Sequence, residues 1–407
     1  MRILVLLAVA LLATTAHADP MTYAGAVALA ARDAPSVQAK ALQVTASRSA
    51  ARAAGTLPDP KLAIGIDNFP ISGPPAGRFD ADDMTMARIG ITQEVPNAAR
   101  RRAAVLGAQA DITLAEAEAL LEARNVRIAA ALAWIDLAYA ERRLAALDQL
   151  TAGLKSLWEG QPASIASGAA RPASGLEPVR LRARFEDLRS ELVAAQVKAR
   201  ADLARWTGDP APSTAGAMPT FALEPAALRA GLETLPTLIA YQATTRRAEA
   251  EADAARAGKR PDWAFDVSYG RRDPMFGDMV SAGITVSLPL FARGRQDPLI
   301  AARVSDVSRV RLQREDARRA LLAALERDLA DHDMHHQQWK RSVELLVPTA
   351  EQRGHLEVSS YGARRADFGD VIVALSDLAD TKLQALEREA LTARDAARIV
   401  LTYGSDQ

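Results

Sequence analysis

Gly90-Ile91-Thr92-Gln93-Glu94-Val95-Pro96-Asn97-Ala98-Ala99-Arg100 decides the fold, because its skeleton returns 193 positions later as Gly283-Ile284-Thr285, Leu288-Pro289 and Ala292-Arg293. Arg102 returns in the same way as Arg295. In both places an alternating, strand-like run passes through a proline into a very long run of helical character. The corner ahead of each strand pair also repeats, Ala54-Gly55-Thr56-Leu57-Pro58-Asp59 and Ala257-Gly258-Lys259-Arg260-Pro261-Asp262. The chain is a tandem duplication whose unit is a strand hairpin plus a long helix.

In the second copy Trp263, Phe265, Val267 and Tyr269 alternate with Asp262, Ala264, Asp266 and Ser268. Further on, Val280, Ala282, Ile284, Val286 and Leu288 alternate with Met279, Ser281, Gly283, Thr285 and Ser287. Joined by the turn-forming segment from Gly270 to Gly277, they predict a β-hairpin over about 262–289. The first copy predicts another over about 61–95, with a longer loop from Phe69 to Asp83 rich in Pro, Gly and Asp. These strands approach the ~9–11 residues of a tilted transmembrane strand. Trp263, Phe265, Val267, Tyr269, Ile284 and Val286 are the candidate lipid-facing side chains. A soluble sheet packed on helices is the alternative. In lipid four strands cannot close alone, because an open edge leaves backbone groups unpaired. Three chains would give twelve strands, an even antiparallel β-barrel with small and polar residues lining the bore.

The helical runs are long for a compact domain. From Asn97 to about Ala166 the only proline is Pro162, and Leu147, Leu150, Leu154 and Leu157 follow a coiled-coil spacing. Such a helix reaches about 100 Å. Leu181, Phe185, Leu188 and Leu192 answer it on the segment ending at Trp206-Thr207-Gly208. In the second copy Leu322, Leu325, Leu329, Trp339, Val343 and Leu346 form the expected seam, and the chain returns from about Phe368 to Tyr403-Gly404. The predicted organisation is a leader over 1–18 and a first repeat over 19–207, with its helical hairpin at about 97–206. A linker over 208–224 and a second repeat over 225–404 follow, with a helical hairpin at about 296–403. Shorter helices, Pro35 to Gly55 and about Pro225 to Gly258, precede the strands. The class is mainly α with a small membrane β portion.

Composition narrows the partners. The 407 residues carry 50 Lys plus Arg against 50 Asp plus Glu, so no net field points to nucleic acid. There is no cysteine, which excludes disulfides, thiolate chemistry and a lipoprotein anchor. Arg2, the apolar run Ile3 to Ala13 and Ala16-His17-Ala18 predict a cleaved export signal, with the mature chain starting at Asp19. Ile128 to Ala140, interrupted by Asp136, is too short for a transmembrane helix. No phosphate loop, nucleophile elbow or metalloprotease helix occurs, so neither an enzyme nor a cofactor is expected. His332, His335 and His336, with Asp331, have i, i+4 spacings that can share a metal. A solvated polar helix face is the stronger reading of that run, and no metal site is assigned.

Leader, twofold repeat, strand hairpins, proline exits and heptad hairpins together resemble the TolC-type outer-membrane efflux proteins along essentially the whole mature chain. The resemblance implies a homotrimer in the Gram-negative outer membrane, its twelve-stranded barrel continuous with an α-helical periplasmic tunnel. It further implies docking on a periplasmic adaptor (membrane fusion) protein and an inner-membrane pump of the resistance-nodulation-division type. Pro58-Asp59-Pro60 to Asp67-Asn68-Phe69-Pro70, then Thr92-Gln93-Glu94-Val95-Pro96, is similar to the branch serving heavy-metal resistance pumps. At the hairpin tips Tyr361, Ala363, Arg365-Ala366-Asp367-Phe368 and Asp370-Val371-Ile372 resemble the family motif. Arg171 and Arg364 stand where that family usually has a tip glycine, with Gly168 and Gly362 just before. Gly168, Arg171, Gly362, Arg364, Asp367 and Asp370 are therefore the candidate adaptor-binding or gating residues, and Asp367 and Asp370 would ring a closed mouth and attract cations.

The expected function is a passive, gated exit duct carrying small substrates, heavy-metal cations among them, with energy supplied by the pump. The residues leave open a periplasmic coiled-coil scaffold, which would be soluble and lack a barrel. They also leave open an outer-membrane duct for type I protein secretion, since cargo choice lies with the pump.

Overall fold

The computed structural model describes residues 20–155, 159 and 176–404. Helices α1 (Tyr23–Asp33) and α2 (Pro35–Ala51) lead into strands β1 (Lys61–Asp67) and β2 (Met86–Val95), and these into helices α3 (Ala98–Gly153) and α4 (Glu177–Thr207). Helices α5 (Pro225–Gly231) and α6 (Pro236–Ala257) then lead into β3 (Trp263–Arg271) and β4 (Met279–Val286). Helices α7 (Ala292–Arg341), α8 (Val347–Gly362) and α9 (Phe368–Tyr403) complete the chain. The fold is mainly helical with one small antiparallel sheet. It divides into two compact units, one of Met1–Gln38, Glu122–Leu232 and Leu322–Gln407, the other of Ala39–Leu121 and Glu233–Leu321.

Prolines set the helix breaks. The residue before a proline is driven out of the helical region. Ala34 accordingly has ψ 126° ahead of Pro35, and Leu235 has ψ 138° ahead of Pro236. The helix expected from about Pro225 to Gly258 is thus two helices joined through a short 3₁₀ turn at Leu232–Thr234. Pro348 acts differently. It has no N–H and its ring crowds the carbonyl four residues back, and the preceding turn, Ser342–Leu346, widens into a π-helix that joins α7 to α8.

In the unit containing the helical hairpins, the leucine seam of the first copy forms the core. Leu147, Leu154, Leu181, Phe185 and Leu192 are buried together with Phe368, Ile372, Ala379 and Leu383 of α9. Leu150 and Leu188 pack against them, and Leu157 lies outside the described residues. A second cluster gathers Trp134, Ile135, Leu137 and Tyr139 of α3 with Leu203 and Ala397. Trp134 Nε1 donates to the Met21 carbonyl at 2.7 Å, holding the N-terminal segment on α3.

The seam expected in the second copy is different. Leu325 is fully buried, but Val343 and Leu346 are exposed, because the π turn before Pro348 rotates them away. Polar contacts of α7 and the π turn with α9 take their place. Tyr403 donates to Asp328 at 2.9 Å, Arg398 pairs with Asp328 at 3.1 Å, and Arg388 donates to Ser342 Oγ at 2.6 Å.

In the other unit the sheet order is β1-β2-β3-β4, all antiparallel. Its register aligns the alternation of every strand. Leu62, Ile91, Val267 and Ala282 form one cross-strand row, and Ile64, Ile89, Tyr269 and Val280 the next. Small and polar residues occupy the opposite face, in rows such as Ala63, Gly90, Ser268 and Ser281.

Truncating the two kinds of seam residue separates them. Leu147→Ala is expected to cost about 2–5 kcal/mol, whereas Val343→Ala should stay within about 0.5 kcal/mol, measured as shifts in the urea midpoint.

Candidate functional site

The sheet's two faces are unlike in crowding as well as chemistry. On the polar face Ser268 is 6% exposed, and a side chain added at Gly90 would place its Cβ 2.9 Å from Ser268 Cβ. Opposed Cβ atoms in an antiparallel pair usually lie about 4.5–5.5 Å apart, so β2 and β3 approach closely on the polar side at this pair. The apolar face is the open one. Trp263, Phe265, Val267, Tyr269 and Ile284 are all exposed on it, with Val286 half-buried beside Trp263 at the end of β4. Leu62, Ile64, Ile66, Ile89, Ile91 and Val280 extend the same surface. Eleven side chains exposed by 42–75%, at roughly 150–200 Å² each, make an apolar surface on the order of 1,000 Å², beyond what soluble monomers ordinarily show.

Charge on the sheet is confined to the other face, where Arg88 pairs with Asp67 at 3.2 Å, and to the strand ends. The β2–α3 junction is a hub. Asn97 donates to Asp262 Oδ1 at 2.8 Å from both its backbone and its side-chain nitrogen, and its side chain also donates to the Ala257 carbonyl at 3.1 Å. Its own Oδ1 caps α3 by accepting from the Arg100 backbone N–H at 2.9 Å, and the Arg100 guanidinium pairs with Asp262 at 2.5 Å. Gly55, at φ +73°, lies against α3, where a side chain would strike Val105.

At the tip between α8 and α9, Arg364 adopts φ 56°, the left-handed conformation that favours glycine. The Arg365 N–H bonds to the Ser360 carbonyl at 2.8 Å, and the Arg364 N–H to the Tyr361 carbonyl at 2.9 Å. These are the 6→1 and 5→2 bonds of a Schellman motif with arginine in the glycine position. The turn geometry expected of a tip glycine is thus kept without the glycine. Asp367 and Asp370 form a reciprocal capping box on α9, with the Asp367 N–H donating to Asp370 Oδ2 at 3.1 Å. Phe368 is buried and packs 5.4 Å from the Tyr361 ring, while Gly362, Arg364, Asp367 and Asp370 are exposed. Gly168 and Arg171 lie outside the described residues. A groove of about 380 Å³ opens beside α8, lined by Gly153, Leu154, Gly354, His355, Val358 and Leu375.

The histidines are not the solvated polar face read from the sequence. His335 Nδ1 lies 2.6 Å from Asp395 Oδ2, and Asp395, buried, also takes Arg398 at 3.3 Å. His332 and His336 stack at 6.1 Å, and His336 meets Trp339 at 5.5 Å. Among the described residues no three His, Asp or Glu side chains are grouped to hold a metal. Asp395, sixty residues from His335 in the chain, carries no local sequence signal.

Four-stranded sheet and helical hairpins define a class, the fold shared with TolC-type outer-membrane channels of known structure. No family model and no curated protein sequence matches the chain. Solved structures do. CusC superposes with a TM-score of 0.82 at 12% identity, over 94% of this chain and 92% of that one. The outer membrane protein VceC of Vibrio cholerae gives 0.78 at 18%, over 94% and 97%. The CmeC outer membrane channel of Campylobacter jejuni gives 0.79 at 10%, over 94% and 85%.

Two outcomes test this geometry. Arg364→Gly relieves the left-handed strain and is expected to stabilise the tip by about 1 kcal/mol, read as slower amide exchange at residues 359–367. Burial, the largest influence, holds the His332 imidazole below its usual value of 6.5, against the pull of Asp395 and Asp333 and the Thr392 backbone. The folded chain therefore takes up fewer protons there than the unfolded chain, and stability falls as pH drops through that value. His332→Gln is expected to lose less melting temperature than the parent between about pH 7.5 and 5.5.

Proposed function

We propose that this chain is the outer-membrane exit duct of a tripartite efflux system. The observation that carries the reading is the open apolar face of the sheet, joined to two edges, β1 and β4, that no other strand of the sheet pairs. Hydrocarbon satisfies the face, and only closure satisfies the edges. Three copies close twelve strands into a barrel, with Trp263, Phe265, Val267, Tyr269, Ile284 and Val286 toward lipid and the small polar face toward the bore. In this reading the chain is exported and its leader removed.

The helical tip around Gly362, Arg364, Asp367 and Asp370 meets a periplasmic adaptor, together with the segment carrying Gly168 and Arg171, and the groove along α8 offers that partner a largely apolar seat. An inner-membrane pump of the resistance-nodulation-division type supplies the energy. Cargo is small, with heavy-metal cations the class suggested by the first strand pair. Opening is a displacement of the helical hairpins at the tip, and transport needs no catalytic group. The capping box leaves one oxygen of each tip carboxylate for solvent, so an acidic ring at the mouth remains compatible with the cap.

The two faces make opposite forecasts. Ile284→Arg places a charge on the lipid side and is expected to cost about 2–4 kcal/mol near the bilayer midplane. Thr285→Arg, one position along, points to the bore and should assemble as the parent does. Outer-membrane fractionation followed by blotting reads both; equal assembly of the two variants would overturn the facing.

A further inference from the structure

The internal duplication shows how one half of the sheet grips the other, and one grip is missing. Within the chain, the β2–α3 junction of the first copy holds the α6–β3 corner of the second through Asn97, Arg100 and Asp262. The equivalent elements at the outer edges are the β4–α7 junction and the α2–β1 corner. Here Arg293 stands for Arg100 and Asp59 for Asp262, by the repeat spacings that align Ala99-Arg100 with Ala292-Arg293 and Pro58-Asp59 with Pro261-Asp262. Both Arg293 and Asp59 are exposed, and neither has an ion-pair partner among the described residues. Leu290 and Phe291, at the positions of Asn97 and Ala98, are 76% and 81% exposed. Each corner also touches the start of its own copy's long helix, Gly55 against Val105 and Lys259 with Asp297. The cross-copy grip at the outer edges has no counterpart among the described residues.

We propose that a second copy of this chain completes it: Arg293 of one copy pairs with Asp59 of the next, and Leu290 and Phe291 cover that copy's α2–β1 corner. The proposal rests on the reading that several copies close the sheet. It also fixes the register across the seam. The β2–β3 pairs Ile91 with Val267 and Gln93 with Phe265 translate into Ile284 opposite Ile64 and Val286 opposite Leu62 of the next copy. All four of these side chains belong to the apolar face. A mismatch of one residue between the repeat spacings would have put them on opposite faces, so the duplication passes a test it could have failed.

The absence of native cysteine makes the contact directly readable. The full-length variant Asp59→Cys with Arg293→Cys, treated with a short bismaleimide in membranes, is expected to run as covalent trimer on a denaturing gel. A bridge within one chain would leave only monomer. In parallel, D59R and R293D alone should each lower the native trimer fraction about ten-fold, and the double reversal D59R/R293D should restore it. A native trimer that yields only covalent monomer, and that the single reversals leave intact, would overturn the pairing while leaving the duct reading in place. A parent protein of monomeric native mass would overturn the duct reading and the pairing with it.

Discussion

An apolar sheet face with nothing in the sheet's own unit laid over it is the constraint from which the other features follow. Side chains alternate with a period of two, so one register places every Leu, Ile, Val and aromatic residue of four strands on one side. A slip of one residue in any strand would invert that strand's contribution. The register is accordingly defended from the other face, where Gly90 and Ser268 approach too closely for any larger residue at position 90. That close approach does not extend to Gly65 of β1 on the same face, where nothing lies within 4 Å of an added Cβ.

The two copies have diverged in how their helices hold together. The first uses leucines and a phenylalanine at coiled-coil spacing, a packing that depends on shape and tolerates sliding. The second replaces much of this with directional contacts: Asp328 between Tyr403 and Arg398, Asp395 between His335 and Arg398, Ser342 under Arg388. Buried and half-buried polar contacts are costly when broken and specific when made. The π turn before Pro348 belongs to the same arrangement, since it removes Val343 and Leu346 from the seam that the heptad would have given them.

Much of the fold was legible because its signals are local. Period two in residues 262–269 and 279–288 needs no knowledge of partners, and the same holds for the leucines of α3 and α4. The failures have a common cause. The Val343 and Leu346 positions depend on a proline that widens the turn before it, and the helix assigned to 225–258 on another that drives the residue before it out of the helical region. His335 looked solvent-facing because its partner Asp395 is sixty residues away, and Asn97 gave no hint of Asp262 across 165 residues. At the tip, the arginine in the glycine position was visible in the sequence, but its left-handed backbone was not.

The central claim is that the sheet is one portion of a closed barrel in the outer membrane. Its most direct test is the native mass of the protein recovered from separated membranes by mild detergent extraction. The account predicts a threefold assembly of the leader-processed chain from the outer-membrane fraction; a monomer or dimer recovered from the soluble periplasmic fraction would contradict it.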